Sequence, residues 1–534
     1  MKNIIIAISI FIFSVAFTLN LTSQTADKSD WAGGYPEGCT SITVGKDASF
    51  DGSVFTSHTD DSHRTRSWID IIPAKHHSKG ESVIMYKRVK NDTLAMPAYG
   101  HKEVGSIPQV SYTNGYINTA YPSLNDKQLG IGESTFGGRE ELQSDAGIID
   151  CQRLCLLMLE RESTARGAIK VAGELLKEYG WNDYGEVLTV ADKNEVWHLE
   201  IVGPGKGKVG AIWVAQRVPD GHISVNANAS TIKEINLKDK DYFMASDNVY
   251  DVAKENGWWN PKEEFRFCYA YAPHSRTSPA SRRREWRVFS LLAPSLGLDP
   301  NDKDYPFSVK PDTLVTLENL MNVFKDYYEG TPFDMTKNLT VTDKDGKTVI
   351  SPLASPHMPY DANNLHKING GWGPLGERTI ARWYTMYATI IQLRSWLPDE
   401  IGGVEWLAMD NVATSIYVPI YGCVSDLPEP YKTPGRINGY TMNSAWWIFN
   451  RLGTLTSQRW GEMRHDVDAV WEPMQLKLIE NQKNVDSQAL DLYKENKKDA
   501  IEFLNYYSSE QGEKVMKEAI KLGDFLWTKY DEKF

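Results

Sequence analysis

Cys39 is the residue whose position in the chain most directly suggests chemistry. It lies in the stretch GCTSITVGKDASFDGS, behind an apolar leader. Cleavage between Gly38 and Cys39 would leave a chain that begins with cysteine, so that a thiol and a free α-amine share one residue. An α-amine has an unperturbed pKa of about 7.7 to 8.0, and it can therefore take the proton of its own thiol. This pattern predicts an N-terminal nucleophile, whereas an average cysteine is a small buried structural residue.

The leader predicts export. Met1 and Lys2 are followed by an apolar run over residues 4–21, which is typical of a signal peptide, although a run of this length could also serve as a membrane anchor. We predict a signal peptide over residues 1–26, a short propeptide over 27–38, and a periplasmic or extracellular location. The polar stretch 22–38 separates the apolar run from Cys39 and disfavours a lipoprotein. The sequence leaves open whether the chain itself or another protease cuts after Gly38.

Composition limits the classes of partner and of covalent framework. Lys and Arg number 58 and Asp and Glu number 70, which gives a net charge of −12 and argues against nucleic acid as a partner. The chain has five cysteines, too few for a disulfide framework at this length. If Cys39 is reserved for chemistry, four remain, whose pairing stays open: Cys151, Cys155, Cys268 and Cys423.

The segment after Cys39 must position it. CTSITVG and SVFTSHTD flank the turn residues Asp51 and Gly52, which predicts a β-hairpin. This hairpin would place Cys39 at a strand end with Asp60 beside it. Strand alternation would send the side chain of Asp61 to the opposite face.

Two helices and further strands are predicted next. IIDCQRLCLLMLER and STARGAIKVAGELLKEYGW indicate consecutive helices, with Ser163 as a cap and Gly180 as the stop of the second. The segments that follow suggest two hairpins, which turn at 192–194 and 219–221. Strands followed by helices and then antiparallel strands favour an α+β fold.

The second half has fewer periodic patterns. We expect long loops with scattered helices over residues 240–360 and strands around a turn at 398–403. At the C-terminus, helices are predicted over 485–507 and from Ser508 onward, where apolar residues recur at helical spacing.

Several of these segments together resemble a known family. CTSITVGKDASFDGS, HTDDSH, LNDKQLGIGESTFGGREEL and VAQRVPDGHISVNANAS, followed by ERTIARWY and RSWLPDEIGGVEWLAMDN, resemble peptidase family C69, secreted or cytosolic dipeptidases related to secernins. The resemblance implies an N-terminal nucleophile hydrolase fold, an αββα sandwich of two antiparallel sheets between helical layers. It also implies a catalytic domain over 39–475 with long insertions, C-terminal helices over 476–534 packed on it, and hydrolysis of amide bonds in short peptides.

The resemblance also assigns roles. Cys39 would attack the scissile carbonyl with its own amine as general base, and Asp60 would hold that amine or the thiol. Asn228 is the expected oxyanion donor, with Asn226 as its rival, because losing one such donor typically costs about 100- to 1,000-fold in rate.

Three further positions follow from the same motifs. Asn125 matches a family asparagine, although Asp126 stands where the family more often has glutamate. Glu133 would bind the free amine of the substrate or cap a turn. The active-site arginine is expected in SPASRRREWRV, with Arg282 preferred over three neighbours: Arg283, Arg284 and Arg287.

Other classes of function remain open. The pattern H-x-D-D-x-H over residues 58–63, with His76 and His77 beyond it, offers ligands for a hydrolytic zinc ion. The chain also has seventeen tryptophans, which could line a peptide or carbohydrate groove in a non-catalytic protein.

The sequence thus predicts an exported cysteine dipeptidase that needs no cofactor or metal and acts on dipeptides or short peptides. The alternative is an amidase of the choloylglycine hydrolase or penicillin V acylase type, which the chain resembles more distantly. The sequence leaves a homo-oligomer open.

Overall fold

The computed structural model describes residues 37–91, 98–356 and 377–533. The predicted signal peptide and all but the last two residues of the predicted propeptide lie outside the described residues. Within the described ranges, no helix is both long enough and apolar enough to cross a bilayer.

The described residues form 21 strands and 12 α-helices. The strands are β1 Gly38–Val44, β2 Val54–Asp61, β3 Asp70–Ile72, β4 Lys75–His76, β5 Ser82–Asn91, β6 Ala98–Pro108, β7 Tyr112–Thr113, β8 Tyr116–Asn118, β9 Leu124–Asn125, β10 Gly130–Gly137, β11 Gly185–Ala191, β12 Val196–Val202, β13 Ile212–Arg217, β14 Ile223–Asn226, β15 Phe243–Ala245, β16 Ser308–Val309, β17 Thr340–Thr342, β18 Thr348–Ile350, β19 Thr385–Leu393, β20 Gly403–Met409 and β21 Val418–Tyr421. The helices are α1 Cys151–Arg161, α2 Ala165–Tyr179, α3 Asp251–Glu255, α4 Phe267–Tyr271, α5 Pro273–Thr277, α6 Pro279–Leu292, α7 Leu317–Phe324, α8 Asp399–Gly402, α9 Glu429–Lys432, α10 Ala445–Gln458, α11 Trp460–Glu495 and α12 Lys497–Lys529.

Two large antiparallel sheets form the centre. One has the strand order β16-β14-β1-β2-β19-β20-β21, and the other has the order β15-β13-β12-β11-β10-β9-β8-β3. β1 and β2 lie in the middle of the first sheet, and every residue of both strands is buried. The predicted hairpin is present, with Cys39 paired to Asp60 and Gly38 to Asp61.

The two sheets face each other, since β1 and β2 contact β10 and β11. Helix α2 packs on β11 and β12, and α10 and α12 pack on β20 and β21. The apolar residues of α2 recur at helical spacing, as expected for a helix with one buried face. The α+β class predicted from the sequence is confirmed.

Some local predictions differ from the structure. The residues around Pro219 and Gly221 do not close a hairpin, because β13 pairs with β12 and β15 whereas β14 pairs with β1 and β16. This turn carries the chain from one sheet to the other. The second helix is capped by Thr164, whose side chain accepts from Gly167 N, and not by Ser163.

The C-terminal boundaries also differ. Ser508 lies inside helix α12 rather than at its start, and the break between the last two helices falls at Asn496. The domain boundary predicted at residue 475 falls within the continuous helix α11.

Candidate active site

Cys39 lies at the start of β1 and lines a cavity of about 720 Å³, within the range of small-molecule sites. The cavity is also lined by Asp60, Asn228 and Arg284. Residues 37 and 38, which precede Cys39 in the chain, line the same cavity. The uncut chain therefore places its own N-terminal segment where a ligand would bind.

The thiol of Cys39 is buried against carboxyl groups. Its Sγ donates a hydrogen bond of 3.1 Å to Glu133 Oε2. Burial raises the pKa of the Cys39 thiol well above its ordinary value, and the charges of Glu133 and Asp60 raise this pKa further. The thiol of the uncut chain is therefore protonated, and it needs a base before it can act as a nucleophile.

Glu133 belongs to a pair of carboxyl groups joined through one hydroxyl. Thr135 Oγ1 lies 3.1 Å from Glu133 Oε1 and 2.8 Å from Glu186 Oε1. A hydroxyl has only one hydrogen to donate, so both contacts are satisfied when one carboxyl group is protonated. Burial, together with the charge of Glu133, raises the pKa of Glu186 well above its ordinary value. Glu186 is thus the partner that holds a proton, and Glu133 Oε2 accepts the hydrogen bond from the thiol.

His58, on β2, holds Glu133, on β10, from the facing sheet. Its Nδ1 lies 2.9 Å from the backbone oxygen of Glu133 and 3.7 Å from Glu133 Oε2. The ring packs between Tyr121 and Tyr387, with centroid distances of 5.4 and 5.7 Å. These contacts fix the position of Glu133 relative to the thiol.

Asn228 approaches the backbone nitrogen of Cys39. Cys39 N donates to Asn228 Oδ1 at 3.1 Å, whereas Asn228 Nδ2 donates to Thr135 O at 2.7 Å. The side-chain oxygen thus faces Cys39, and the amide hydrogens that an oxyanion donor needs point toward Thr135. The rival Asn226 donates from Nδ2 to Ala229 O.

The arginine that reaches the site is Arg284 and not Arg282. Arg284 Nη1 donates to Cys39 O at 2.7 Å, and its Nη2 donates to Asn228 Oδ1 at 2.9 Å. Burial, followed by the nearby charge of Arg378, lowers the pKa of Arg284 to about 9. Arg282 Nη1 instead donates to the backbone oxygen of Asp302, and Arg282 does not line the cavity.

Helical periodicity was the signal that could have separated these arginines. Arg284 shares the buried face of α6 with Val288 and Leu292, four and eight residues further on, whereas Arg282 lies outside this series.

Asp60 and Asp61 both line the cavity. Burial raises the pKa of Asp60 well above its ordinary value, and the charges of Glu133 and Asp61 add to this effect, which the Thr65 hydroxyl only partly offsets. Asp61 was expected on the opposite face, yet it accepts hydrogen bonds from Arg378 and from Thr385 Oγ1. Because Asp61 is the last residue of β2, both side chains reach the cavity from the strand end.

Asn125 is not part of this site. Its Nδ2 donates to the backbone oxygens of Leu159 and Glu162, each at 2.8 Å, and its Oδ1 accepts from the backbone of residues 127 and 129. All its polar atoms are thus engaged in joining a turn to the end of helix α1, and Asn125 does not line the cavity.

The residues of the alternative zinc pattern are dispersed. His63 packs on the Tyr384 ring at 4.6 Å, and His77 pairs with Glu81. Of that pattern, only His58 belongs to a close group, which it forms with Cys39 and Glu133, with one potential ligand atom of each within 4.8 Å of the others.

Four of the tryptophans that could line a groove are fully buried in the core: Trp181, Trp197, Trp406 and Trp471. No tryptophan is among the described residues that line the cavity at Cys39.

Comparison with known proteins gives a consistent result. The profile of Peptidase family C69 matches residues 38–473. A probable dipeptidase of Latilactobacillus sakei is 26% identical over 489 residues, which cover 88% of this chain and 91% of that protein. Dipeptidase A of Lactobacillus helveticus is 23% identical and covers 80% and 84%. A dipeptidase of Bifidobacterium longum is 25% identical and covers 73% and 72%.

Proposed function

Because this chain belongs to peptidase family C69, we propose that it is an exported dipeptidase that hydrolyses short peptides with Cys39 as its N-terminal nucleophile. One observation carries the proposal. The thiol and the backbone nitrogen of Cys39 are both held in one cavity, the thiol by Glu133 at 3.1 Å and the nitrogen by Asn228 at 3.1 Å. The named dipeptidases among the relatives support the choice of substrate.

The first step of the proposal is maturation of the chain. In the uncut chain the nitrogen of Cys39 is an amide and cannot act as a base, so Glu133 takes the thiol proton. The thiolate attacks the carbonyl carbon of Gly38, the C–N bond breaks, and the proton passes to the Cys39 nitrogen. The resulting thioester is hydrolysed by water, which frees the thiol and leaves a carboxylate on Gly38.

The mature residue then carries its own base. The α-amine of Cys39 takes the thiol proton while the sulfur attacks the scissile carbonyl of a peptide, and it returns the proton to the leaving amine. Water, activated by the same amine, hydrolyses the thioester. Asn228 Oδ1 accepts a hydrogen bond from that nitrogen and keeps it beside the sulfur.

Arg284 and Asp60 act on the same residue. Arg284 donates to the carbonyl oxygen of Cys39 and to Asn228 Oδ1, and thereby fixes the orientation of both groups. Asp60 lies directly opposite Cys39 in the sheet register, and its carboxyl group accepts a hydrogen bond from the α-ammonium that forms in each cycle. Glu133 is fully buried and does not line the cavity, and we therefore assign it to the Cys39 thiol rather than to the free amine of the substrate.

The proposal includes the architecture and the route out of the cell. Two facing antiparallel sheets with helices on both outer sides support an N-terminal nucleophile sandwich. The apolar run at residues 4–21 supports removal of a leader during export.

The test is the N-terminus of the purified protein combined with activity. We expect the mature chain to begin at Cys39 by intact mass and to hydrolyse a dipeptide panel. Cys39→Ala should abolish both cleavage and activity, whereas Cys423→Ser, which alters another free cysteine, should leave both unchanged. An active enzyme that still carries Gly38 overturns the mechanism. Hydrolysis of penicillin V but of no dipeptide overturns the choice of substrate.

A further inference from the structure

Glu37, the second residue before the proposed cut, has its carboxylate seated in a set of donors. Arg64 Nη1 and Tyr99 OH each lie 3.0 Å from a Glu37 carboxylate oxygen, and Ser62 Oγ lies 3.3 Å from one of them. The Arg64 side chain is only 7% exposed, whereas that of Glu37 is 31% exposed. The donors thus belong to the folded body, and the carboxylate enters from outside.

The proposed maturation would remove this carboxylate. Cleavage after Gly38 releases residue 37 with the leader, while Ser62, Arg64 and Tyr99 stay in the mature chain. The mature enzyme would then keep these donors after losing the Glu37 carboxylate, with Ser62 and Tyr99 in the wall of the cavity that contains Cys39 and Arg64 in the wall of an adjoining cavity.

A second, smaller cavity lies behind these donors. It is lined by five arginines and shares Thr65, Arg88 and Tyr99 with the cavity at Cys39. The arginines are Arg64, Arg66, Arg88, Arg153 and Arg436. No aspartate or glutamate is among the described residues that line it. Arg66 pairs with Asp70 and Arg88 pairs with Asp183, and neither aspartate lines this cavity. The arginine charge is therefore partly compensated, while the lining itself presents guanidinium groups and no carboxylate to an anionic ligand.

The neighbouring histidines respond to the same positive field. Burial lowers the pKa of His101, which lines the small cavity, and the charges of Arg153, Arg88 and Arg66 lower it further. Burial also lowers the pKa of His63 to about 3, with Arg436 and Arg64 adding to the effect. Both imidazoles are thus neutral near pH 7, and the arginines carry the positive charge of this region.

We propose, on the basis of the function above, that Arg64, Tyr99 and Ser62 bind a carboxylate of the peptide substrate in the mature enzyme, and that Glu37 occupies this subsite until the chain is cut. This carboxylate position lies within reach of a short peptide bound at Cys39. Glu37 lies two residues from Cys39, which corresponds to about 7 Å of extended chain. Guanidinium groups are suited to carboxylates because their paired N–H donors match the two carboxylate oxygens.

The carboxylate has two sources, the C-terminus of the substrate and an acidic side chain. Ala-Ala compared with Ala-Ala amide tests the first, and Ala-Glu compared with Ala-Gln tests the second. We expect the wild-type enzyme to prefer the charged member of at least one pair by about 10- to 100-fold in kcat/KM, the range that hydrogen bonds to charged groups support. The pair that shows the preference identifies the source.

Arg64→Gln and Tyr99→Phe should remove this preference mainly by raising KM, since they remove binding common to ground state and transition state. Each variant has a matched control. Tyr269→Phe removes a tyrosine hydroxyl that donates to Asp304 on the exterior, and Arg451→Gln removes an arginine that pairs with Asp524 on the surface. Rates are normalised to the number of mature chains measured by intact mass, because the variants also alter the contacts of Glu37.

A label that does not depend on peptide hydrolysis separates this proposal from the proposed function. N-Bromoacetylglycine carries a carboxylate one residue beyond its reactive carbon, and bromoacetylglycinamide is its neutral counterpart. We expect Cys39 to be alkylated about 10-fold faster by the acid than by the amide, with this ratio lost in Arg64→Gln. Equal alkylation rates together with no discrimination in either dipeptide pair overturn the subsite. A wild-type enzyme that shows the alkylation ratio but hydrolyses no dipeptide overturns the proposed function and retains the subsite.

Discussion

Gly38, the residue before the proposed cut, has no room for a side chain. A Cβ added there would lie 2.5 Å from Asn228 Oδ1 and 3.1 Å from Arg378 Nη2. Ordinary van der Waals contact begins at 3.4 Å, so Gly38→Ala requires the new Cβ and Asn228 Oδ1 to move apart by 3.4 − 2.5 = 0.9 Å. Gly38 is not among the glycines with positive φ, so steric contact alone carries the effect.

Asn228 is poorly able to yield. Its backbone N donates to Ser134 Oγ at 3.0 Å, its Nδ2 donates to Thr135 O, and its Oδ1 accepts from Arg284. These hydrogen bonds oppose a movement of the Asn228 side chain. The displacement therefore falls largely on the segment that is cut. A misplacement of about 1 Å costs about 100-fold in rate when reacting groups must be aligned. We expect Gly38→Ala to slow maturation by about that factor.

The assay follows pulse-labelled chain made in a cell-free system and measures conversion to the form that begins at Cys39. The rate should not depend on protein concentration, because the step is intramolecular. Gly221→Ala is the control, since a Cβ there meets no atom within 4 Å. Residue 38 is lost in the cut, so any mature enzyme from the variant must have wild-type kcat/KM per chain. Maturation of Gly38→Ala at the wild-type rate would refute the reasoning.

Four further predictions follow from the same contacts. Glu133→Gln removes the carboxylate that accepts from the thiol, and we expect the uncut chain to accumulate in a pulse-chase; rapid cutting would show that another group is the base. Arg284→Met should lower kcat/KM by at least 100-fold, the scale of losing one buried charged donor set, whereas Arg282→Met should stay within a factor of two to three of wild type, the typical scatter of such effects. Dialysis against a chelator should leave kcat unchanged, and loss restored by zinc would support a metal at Cys39, His58 and Glu133. Burial raises the pKa of Glu405 to about 8, so the folded state keeps a proton that the unfolded state releases. The free energy of unfolding should therefore fall as the pH rises from about 5 to 8, by up to about 1.4 kcal/mol per pH unit. Urea unfolding at several pH values should show a weaker dependence of this free energy on pH for Glu405→Gln.

The position of Cys39, the proposed nucleophile, beside Asp60 was accessible from the sequence because it depends on local patterns. A turn signal between two alternating segments predicted that Cys39 and Asp60 share a strand end, and the register pairs them directly. The helices after residue 150 and the strands on either side of residue 398 followed from periodicity. In each case the information lies within a few residues of the element it specifies.

Pairings over long sequence distances were not accessible in this way. The turn at 219–221 has the residues of a hairpin, yet its two strands belong to different sheets, because the stronger partners of β13 and β14 come from elsewhere in the chain. Asn125 lies in a segment that matches a family motif, yet its side chain joins a turn to the end of helix α1.

The sequence by itself determined the α+β class of fold and the pairing of Cys39 with Asp60, because both depend on patterns within short segments of the chain. Only the tertiary structure decided that Arg284 rather than Arg282 reaches Cys39, that Glu133 accepts from its thiol, and that Arg64 and Tyr99 hold the Glu37 carboxylate. These contacts join residues between 27 and 245 positions apart. Such contacts depend on how the sheets and helices pack together, and no local pattern in the chain encodes that packing.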